Sequence, residues 1–408
     1  MANSFQSISS GLAELKNIYE GPIVDQLNED LPIYRAAEKI KKAYSGYQVI
    51  RPLRVIRNQG IGATSDGGTL PAIGKQNTQQ ASISAKFNYL RFGITGPMIK
   101  ASQNDVGSFV RAADYELKMG YKDLSSDCNR QLNWDGTGDL ALVSTAPVAS
   151  TSLVISGRES SEPALKFVDV GLVFDIITSS NTYKAQGVTV TAISSGTGSS
   201  ATATLTLDTP VTAAVGDILI RAGTLNQEIQ GLLYGLDGGT STIYGIDRSL
   251  YIAFQGNVRT SSGALTLDDM QNVYNEGLRR GGTANGSYNA VYTDFTSLRY
   301  YQKLLIPDKR YVNSSQGDGT FGKKDKFYMD FSGIPVVPDK DCPTRFFFLP
   351  SEVFKMYVLS EMEFADETGS MYIAQTSADQ LEVRIRFFAN LFNEQPAACA
   401  VLKSYSSP

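Results

Sequence analysis

The chain has 408 residues, 37 Lys and Arg against 41 Asp and Glu, a net charge of −4 and no histidine. A missing imidazole closes off His-based triads, His general bases and the commonest metal ligand, and a slightly acidic balance without a basic run excludes a nucleic-acid reader built on one basic face. No apolar run reaches the ~20 residues of a membrane span, the start MANSFQSISSG has no apolar signal core, and three distant cysteines (Cys128, Cys342, Cys399) suit buried thiols rather than a disulfide framework.

Residues 1–47 read as an N-terminal arm with helical pieces. Leu12, Leu15, Ile18 and Tyr19 make one short stripe, and Ile23, Val24, Leu27 and Leu31 continue it after Gly21-Pro22. Arg35, Lys39, Lys41 and Lys42 form a small basic face, read as a solvated helix surface.

Residues 48–99 read as a long β-hairpin. On the return strand Ala81, Ile83, Ala85, Phe87 and Tyr89 alternate with Ser82, Ser84, Lys86 and Asn88, the period-2 pattern of a half-buried strand. The phase flips at Tyr89-Leu90, which predicts a bulge or a strand passing into a new environment. The outgoing partner is 48–57, with Val49, Ile50, Leu53, Val55 and Ile56, and the loop between holds Gly60, Gly62, Gly67, Gly68 and Gly74. A two-stranded ribbon is marginal alone, and with no evident internal cover it is expected to pack on a neighbouring subunit.

A long helix over 104–134 follows, capped by Ser102 or Asn104. Phe109, Ala113, Leu117, Tyr121, Leu124, Cys128 and Leu132 give it one apolar face at three- and four-residue steps, over about 45 Å. Gly136 and Gly138 end it.

Composition then shifts. Residues 137–226 are rich in Thr, Ser, Val, Ala and Gly, with Val188 and Val190, then Ala203, Leu205 and Leu207, alternating with threonines. Short strands between turn clusters predict an inserted all-β barrel or sandwich. VGLVFDI at 170–176 and VGDILI at 215–220 echo each other, as a weak repeat or as two similar strand openings.

Residues 227–330 mix helices and strands. A helix begins near Leu265-Thr266 and stops at Gly281-Gly282, a strand covers Ala290–Tyr292, and a helix with Leu298, Tyr301 and Leu305 ends before Pro307. From 331 to 395 the chain is β again, with a hairpin tip near 365–378, and Val401-Leu402 closes it.

Three constellations resemble chemistry. Gly317 to Lys323 has the spacing of a phosphate loop, but Lys324 stands where Ser or Thr would hold magnesium and β-rich sequence follows. Asp135 and Asp139 flank a Gly-rich turn, which reads as a helix exit rather than a cation site. Glu361, Glu363 and Asp366 read as a charged strand edge rather than an acid–base pair. No catalytic, cofactor or metal residue is assigned, and no enzymatic activity is expected.

The ordered set of segments resembles the major capsid proteins of tailed bacteriophages, the Hong Kong 97-type fold. The words that carry it are LKNIYEGPIVDQLNED at 15–30, the hairpin and helix of 48–134, YGIDRS at 244–249, LTLDDMQNVYNEGLRRGG at 265–282, SGIPVVPDKDCP at 332–343 and RIRFFANLFNEQPAACAVL at 384–402. The resemblance implies an α+β fold. Its parts would be an N-arm (1–47), an E-loop (48–99), a peripheral domain with a spine helix (100–136) and a late sheet (331–395), an axial domain (227–330) rejoined by 396–408, and the inserted barrel of 137–226 on the outer surface.

It implies self-assembly into hexamers and pentamers of an icosahedral head around double-stranded DNA, in the host cytoplasm, with the product in the virion. The expected partners are a separate scaffolding protein, a portal at one vertex, a decoration or cement protein, and DNA held by weak non-specific contact. Membrane is not among them, and no cofactor is implied. The intersubunit contacts would come from Arg51, Arg54, Arg57, Gly60, Gly62, Gly67, Gly68, Lys75, Phe87 and Arg91, the arginines pairing with a neighbour's carboxylates. Phe109, Ala113, Leu117, Tyr121, Leu124 and Cys128 would face the core. Some relatives crosslink a loop lysine to an asparagine beside a glutamate. Lys75 and Glu363 have counterparts here, but the hairpin tip lacks the asparagine, so crosslinking is not expected. The alternatives are an encapsulin-type compartment shell, a secreted β-rich adhesin or glycan-binding module, and a hydrolase using carboxylates alone.

Overall fold

The computed structural model describes residues 31–41, 44, 46, 48–95, 106–159, 162–196, 200–237, 241–281, 288–305, 329–350, 353–365, 372–374 and 379–408. The first element is a short helix, Pro32–Ala36, with proline in its first turn where a missing N–H costs nothing. The basic face that follows is not helical. Glu38–Lys41 is a strand (β1), paired in parallel with β18 (Phe354–Phe364). Tertiary pairing overrides local pattern here, and Lys39 lies over the Tyr34 ring at 4.2 Å.

Strand β2 (Gln48–Ile56) pairs antiparallel with β3 (Asn77–Ser84), Gln48 opposite Ser84. After Ala85 the chain continues as β4 (Lys86–Thr95), which leaves β2 and pairs with β20 (Gln380–Asn393) over ten positions, Lys86 opposite Ala389 and Thr95 opposite Gln380. The change of environment is therefore at Ala85, not at Tyr89-Leu90, where the ladder runs on unbroken. Ala81, Ile83 and Ala85 are buried, whereas Phe87 and Tyr89 point outward, 50% and 59% exposed, both edge-on to Phe388.

The ribbon also has internal cover at its base. Val49, Ala81 and Ile83 pack with Ile243, Tyr244, Ile246, Phe254, Tyr357 and Phe392. Among the described residues, the part beyond the base packs into none of the buried clusters.

The long helix runs over Val106–Asn133. The cap expected at Ser102 or Asn104 lies outside the described residues. Leu124, Cys128, Leu132 and the adjoining Trp134 enter a core shared with Met356, Ile385, Phe387 and Leu391 from the late sheet. Burying such a stripe is what fixes a helix of this length, each large side chain contributing about 1.5–3 kcal/mol.

Residues 139–221 form a closed six-stranded barrel. Its strands are β5 (Asp139–Val143), β6 (Ser150–Ser156), β7 (Val173–Ile177), β8 (Tyr183–Ser195), β9 (Thr202–Val211) and β10 (Ile218–Arg221), in the order β10-β5-β6-β9-β8-β7. The interior holds Leu153, Ile155, Phe174, Ile176, Val188, Val190, Leu205 and Leu219, with the alternate threonines outside. Closure removes sheet edges, which suits a surface so rich in exposed Thr and Ser. The two echoing segments are turns opening β7 and β10, which are antiparallel neighbours.

A short helix (Leu232–Leu236) leads to a tight hairpin of β11 (Thr242–Ile243) and β12 (Ile246–Asp247). Tyr244 and Gly245 at its tip both have positive φ, 49° and 82°, as a two-residue turn requires. After β13 (Asn257–Thr260) comes the helix Leu267–Gly281, capped reciprocally. The Asp269 N–H donates to Thr266 Oγ1 at 3.0 Å, and that hydroxyl donates to Asp269 Oδ2 at 2.7 Å. Helix Phe295–Leu305 is capped by Asp294, which accepts from Thr296 and Ser297. These helices lie with a six-stranded sheet of order β13-β21-β17-β14-β16-β15, whose other members are β14 (Ala290–Thr293), β15 (Met329–Phe331), β16 (Ile334–Pro338), β17 (Phe346–Leu349) and β21 (Ala400–Lys403). A second sheet, β1-β18-β20-β19 with β4 on the far side of β20, includes the short β19 (Tyr372–Ala374). The phosphate-loop lookalike at 317–323 lies outside the described residues.

Candidate assembly surfaces

The stretch from Arg57 to Gln76 has no regular secondary structure and is mostly exposed. Ile61, Leu70 and Ile73 stand 84%, 77% and 103% exposed, and Ile50 and Ile56 on the ribbon add apolar surface on the same arm. Several large apolar side chains left exposed on one arm make it a candidate interaction surface. Glycine shapes the loop at the crossing of its limbs. A side chain at Gly60 would meet the Gly74 nitrogen at 2.7 Å, and one at Gly74 would meet the Gly60 nitrogen at 2.4 Å, so the two backbones touch only because both positions lack a Cβ. Gly67 has φ +72° at the turn beside Gly68, while Gly62 lies against Pro71.

The arginines of the arm divide into two kinds. Arg54, Arg57 and Lys75 are exposed. Arg51 and Arg91 are committed within the chain. Arg51 lies 3.0 Å from Glu394, which also holds Lys355, and Arg91 lies 2.7 Å from the buried Glu382, which also takes Arg384. For these two of the four arginines expected to face a neighbour, the chain itself supplies a carboxylate partner. Nearby intrachain carboxylates were invisible in the sequence because they lie about 300 residues away. Phe87 and Tyr89 with Phe388 make an exposed aromatic cluster at the foot of the arm.

On the long helix, Leu124 and Cys128 are buried, but Tyr121 is 48% exposed, because the stripe runs beyond the core that receives Leu124. The side chains of Phe109, Ala113 and Leu117 lie outside the described residues.

The acidic candidates among the described residues are held in pairs within the chain. Arg158 bridges Asp139 at 2.9 Å and Asp135 at 3.6 Å while stacking on Trp134 at 3.8 Å. Glu361 pairs with Lys41, and Glu363 takes the Ser360 hydroxyl and Arg386. Those bonds, the hydroxyl first, hold the Glu363 carboxyl below its ordinary range. Asp366 lies outside the described residues.

Sequence reading missed the clasp at the foot of the barrel. Arg130 on the helix donates to Glu228 at 2.5 Å and to Asp127 at 3.0 Å, with Arg130 and Glu228 both nearly inaccessible. Burial works against the Asp127 charge, but Arg130 and then Arg221 outweigh it and hold the carboxyl down at about 2. Arg345 joins Glu159 at 2.6 Å and also pairs with Asp237, which takes Lys403. Lys166 donates to Glu162 and to the Cys342 carbonyl, both at 2.7 Å. The chain's one tryptophan, beside Arg158, was the available signal.

No family model matches the sequence, and no curated protein matches it. Solved structures do. The capsid asymmetric unit of cyanophage A-1(L) superposes with a TM-score of 0.62 at 14% identity, over 98% of both chains. The fold is that of a phage capsid protein. The capsid of the native GTA particle, computed with C5 symmetry, is similar at a TM-score of 0.54 and 8% identity, over 99% of this chain and 100% of that one. The likeness in fold covers 98% of this chain. The apolar arm and the aromatic cluster are features of that fold's surface in this chain. Among the described residues no helix is long and apolar enough to cross a membrane.

Proposed function

We propose that this chain is a major capsid protein that assembles into hexamers and pentamers of an icosahedral head enclosing double-stranded DNA. The observation that carries the reading is an arm with exposed Ile61, Leu70 and Ile73 on a chain similar in fold to a phage capsid protein over 98% of its length. In Hong Kong 97-type terms the arm of 48–99 is the E-loop and Val106–Asn133 the spine. The sheet of 331–395 completes the peripheral domain, 227–330 with 396–408 is the axial domain, and the barrel faces outward. The role is structural rather than enzymatic.

Burying apolar arm surface on a neighbour at about 25 cal/mol per Å2 supplies the driving force. The exposed Arg54, Arg57 and Lys75 set register more than affinity. Closed symmetry then satisfies each heterologous contact once. Scaffolding, portal and decoration proteins are the expected partners, assembly is in the host cytoplasm, and packaged DNA meets a wall without a dominating basic face.

Electron microscopy of the expressed chain with sedimentation velocity tests this. Shells, tubes or capsomer rings, alone or on adding a scaffold, are expected. A chain that remains monomeric with every scaffold, and binds a glycan or turns over a substrate, overturns it.

A further inference from the structure

Two side-chain amides are buried where the arm joins the body, Gln131 on the long helix at 2% exposure and Asn390 on β20 at 0%. Each faces two ways. Gln131 Oε1 accepts the Ile229 backbone N–H at 3.0 Å, and its Nε2 donates to Asn88 Oδ1 at 2.9 Å and to Asp127 at 2.8 Å. Asn390 Oδ1 accepts the next N–H, that of Gln230, at 3.0 Å, and its Nδ2 donates to the Ser84 carbonyl at 2.8 Å and to Gln230 Oε1 at 2.9 Å. Turning either amide over would set its nitrogen against a backbone N–H, so the oxygens belong on 229 and 230 and the nitrogens toward the arm. A third bond joins the same two stretches, Lys86 Nζ donating to the Asn226 carbonyl at 2.7 Å.

On the arm these contacts fall at Ser84, Lys86 and Asn88, on both sides of Ala85. The ladder with β2 ends at Ser84 and the ladder with β20 begins at Lys86, so Ala85 belongs to neither. Local opening starts where ladder bonds are few.

The other ends of the contacts converge on 226–230, the segment that returns the chain from the barrel. It is neither helix nor strand, so the N–H groups of Ile229 and Gln230 have no ladder and the two amides satisfy them. The segment is also fixed at points that do not involve the arm. Glu228 holds the buried Arg130, and the Asn226 N–H donates to the Thr137 carbonyl at 3.1 Å. Gly231, next along, lies so close to the end of the long helix that a Cβ would run into the carbonyl oxygens of Gln131 and Leu132.

We propose that 226–230 is a strap that holds the arm where it leaves the body, so that the root of the arm and the foot of the barrel form one unit. The strap's contacts span the break between the two ladders. Displacing it takes a partner from both amides and from Lys86 at once, and the strand is then free to open at Ala85. The inference concerns the single chain and does not depend on the capsid reading.

Hydrogen exchange of peptides spanning 82–90, on the intact natural chain and on Gly231→Ala, tests this. The added methyl meets the helix and not the arm, and it pushes the strap outward. Losing about one hydrogen bond of support should speed exchange over 82–90 roughly tenfold. Gly157→Ala is the control. Its methyl would run into the Glu162 backbone at the foot of the barrel, away from the strap, and should leave 82–90 as in the natural chain. Should Gly231→Ala fail to fold, Glu228→Gln loosens the strap at Arg130 and takes its place. A folded strap variant whose 82–90 region exchanges at the natural rate overturns the proposal. So does equal acceleration of that region by Gly157→Ala.

Discussion

Replacing Ile61, Leu70 and Ile73 together with serine separates folding from assembly. All three are at least three-quarters exposed and belong to none of the buried clusters among the described residues. Their removal should change subunit stability by no more than about 0.5 kcal/mol, the range for surface positions outside special features. In a shell the account is different. If each is buried on a neighbour, each contributes about 1.5–3 kcal/mol, so the triple variant loses roughly 5–9 kcal/mol per subunit as an upper bound. That loss, repeated at every subunit, should abolish shells. Thermal unfolding of the isolated subunit and sedimentation of the assembly reaction check the two halves. A triple variant that builds shells with an unchanged denaturant midpoint refutes the role of the arm. A large fall in subunit melting temperature would show instead that the tip belongs to the chain's own core.

Ile83→Ala, at the buried base of the same ribbon against the Tyr244 and Phe392 cluster, should cost about 2–5 kcal/mol by denaturant unfolding of the subunit. Glu228→Ala leaves Arg130 buried with only Asp127, and should cost about 3–5 kcal/mol by the same measurement. Deleting the two arm residues Gly60 and Gly74 is not needed to probe the limb crossing: Gly74→Val alone should spoil the tip and weaken shells, while circular dichroism of the subunit is unchanged. Excising 140–219 and joining Asp139 to Ile220, which are cross-strand partners, should leave a folded remainder. Losing Arg158 from the Trp134 ring should then shift its emission to longer wavelength, and a remainder without a cooperative melt would count against the barrel as a self-contained unit.

Strands that alternate strongly were readable from the sequence, among them β8, β9, β18 and β20, as were the two capped helices after 265. Their patterns reflect burial of one face, a local property of the chain. The strand at 38–41 was not readable, because its partner β18 lies about 320 residues on and its own residues are charged. Phe87 and Tyr89 extend a perfect alternation yet point outward, since the strand changes partner at Ala85 and alternation does not tell one partner from another. The clasp of Arg130, Asp127 and Glu228 was hidden for a related reason. Two of its members sit on a helix where charged residues ordinarily face solvent. The exposed tip was anticipated from its glycines, but which arginines of the arm remain available depended on carboxylates in the last 30 residues.

The passage of one segment from β3 through Ala85 into β4 has a mechanical consequence. Antiparallel hydrogen bonds lie across the strand direction, so tension delivered along β4 loads its ten-position ladder with β20 in shear, all rungs at once, rather than peeling them from one end. A container strained from within would pull on each subunit through such an arm. In this chain the pull would end in the sheet built on β20, whose inner face is buried in the main core, and the load would be spread over the body of the subunit instead of concentrating at the root of the arm.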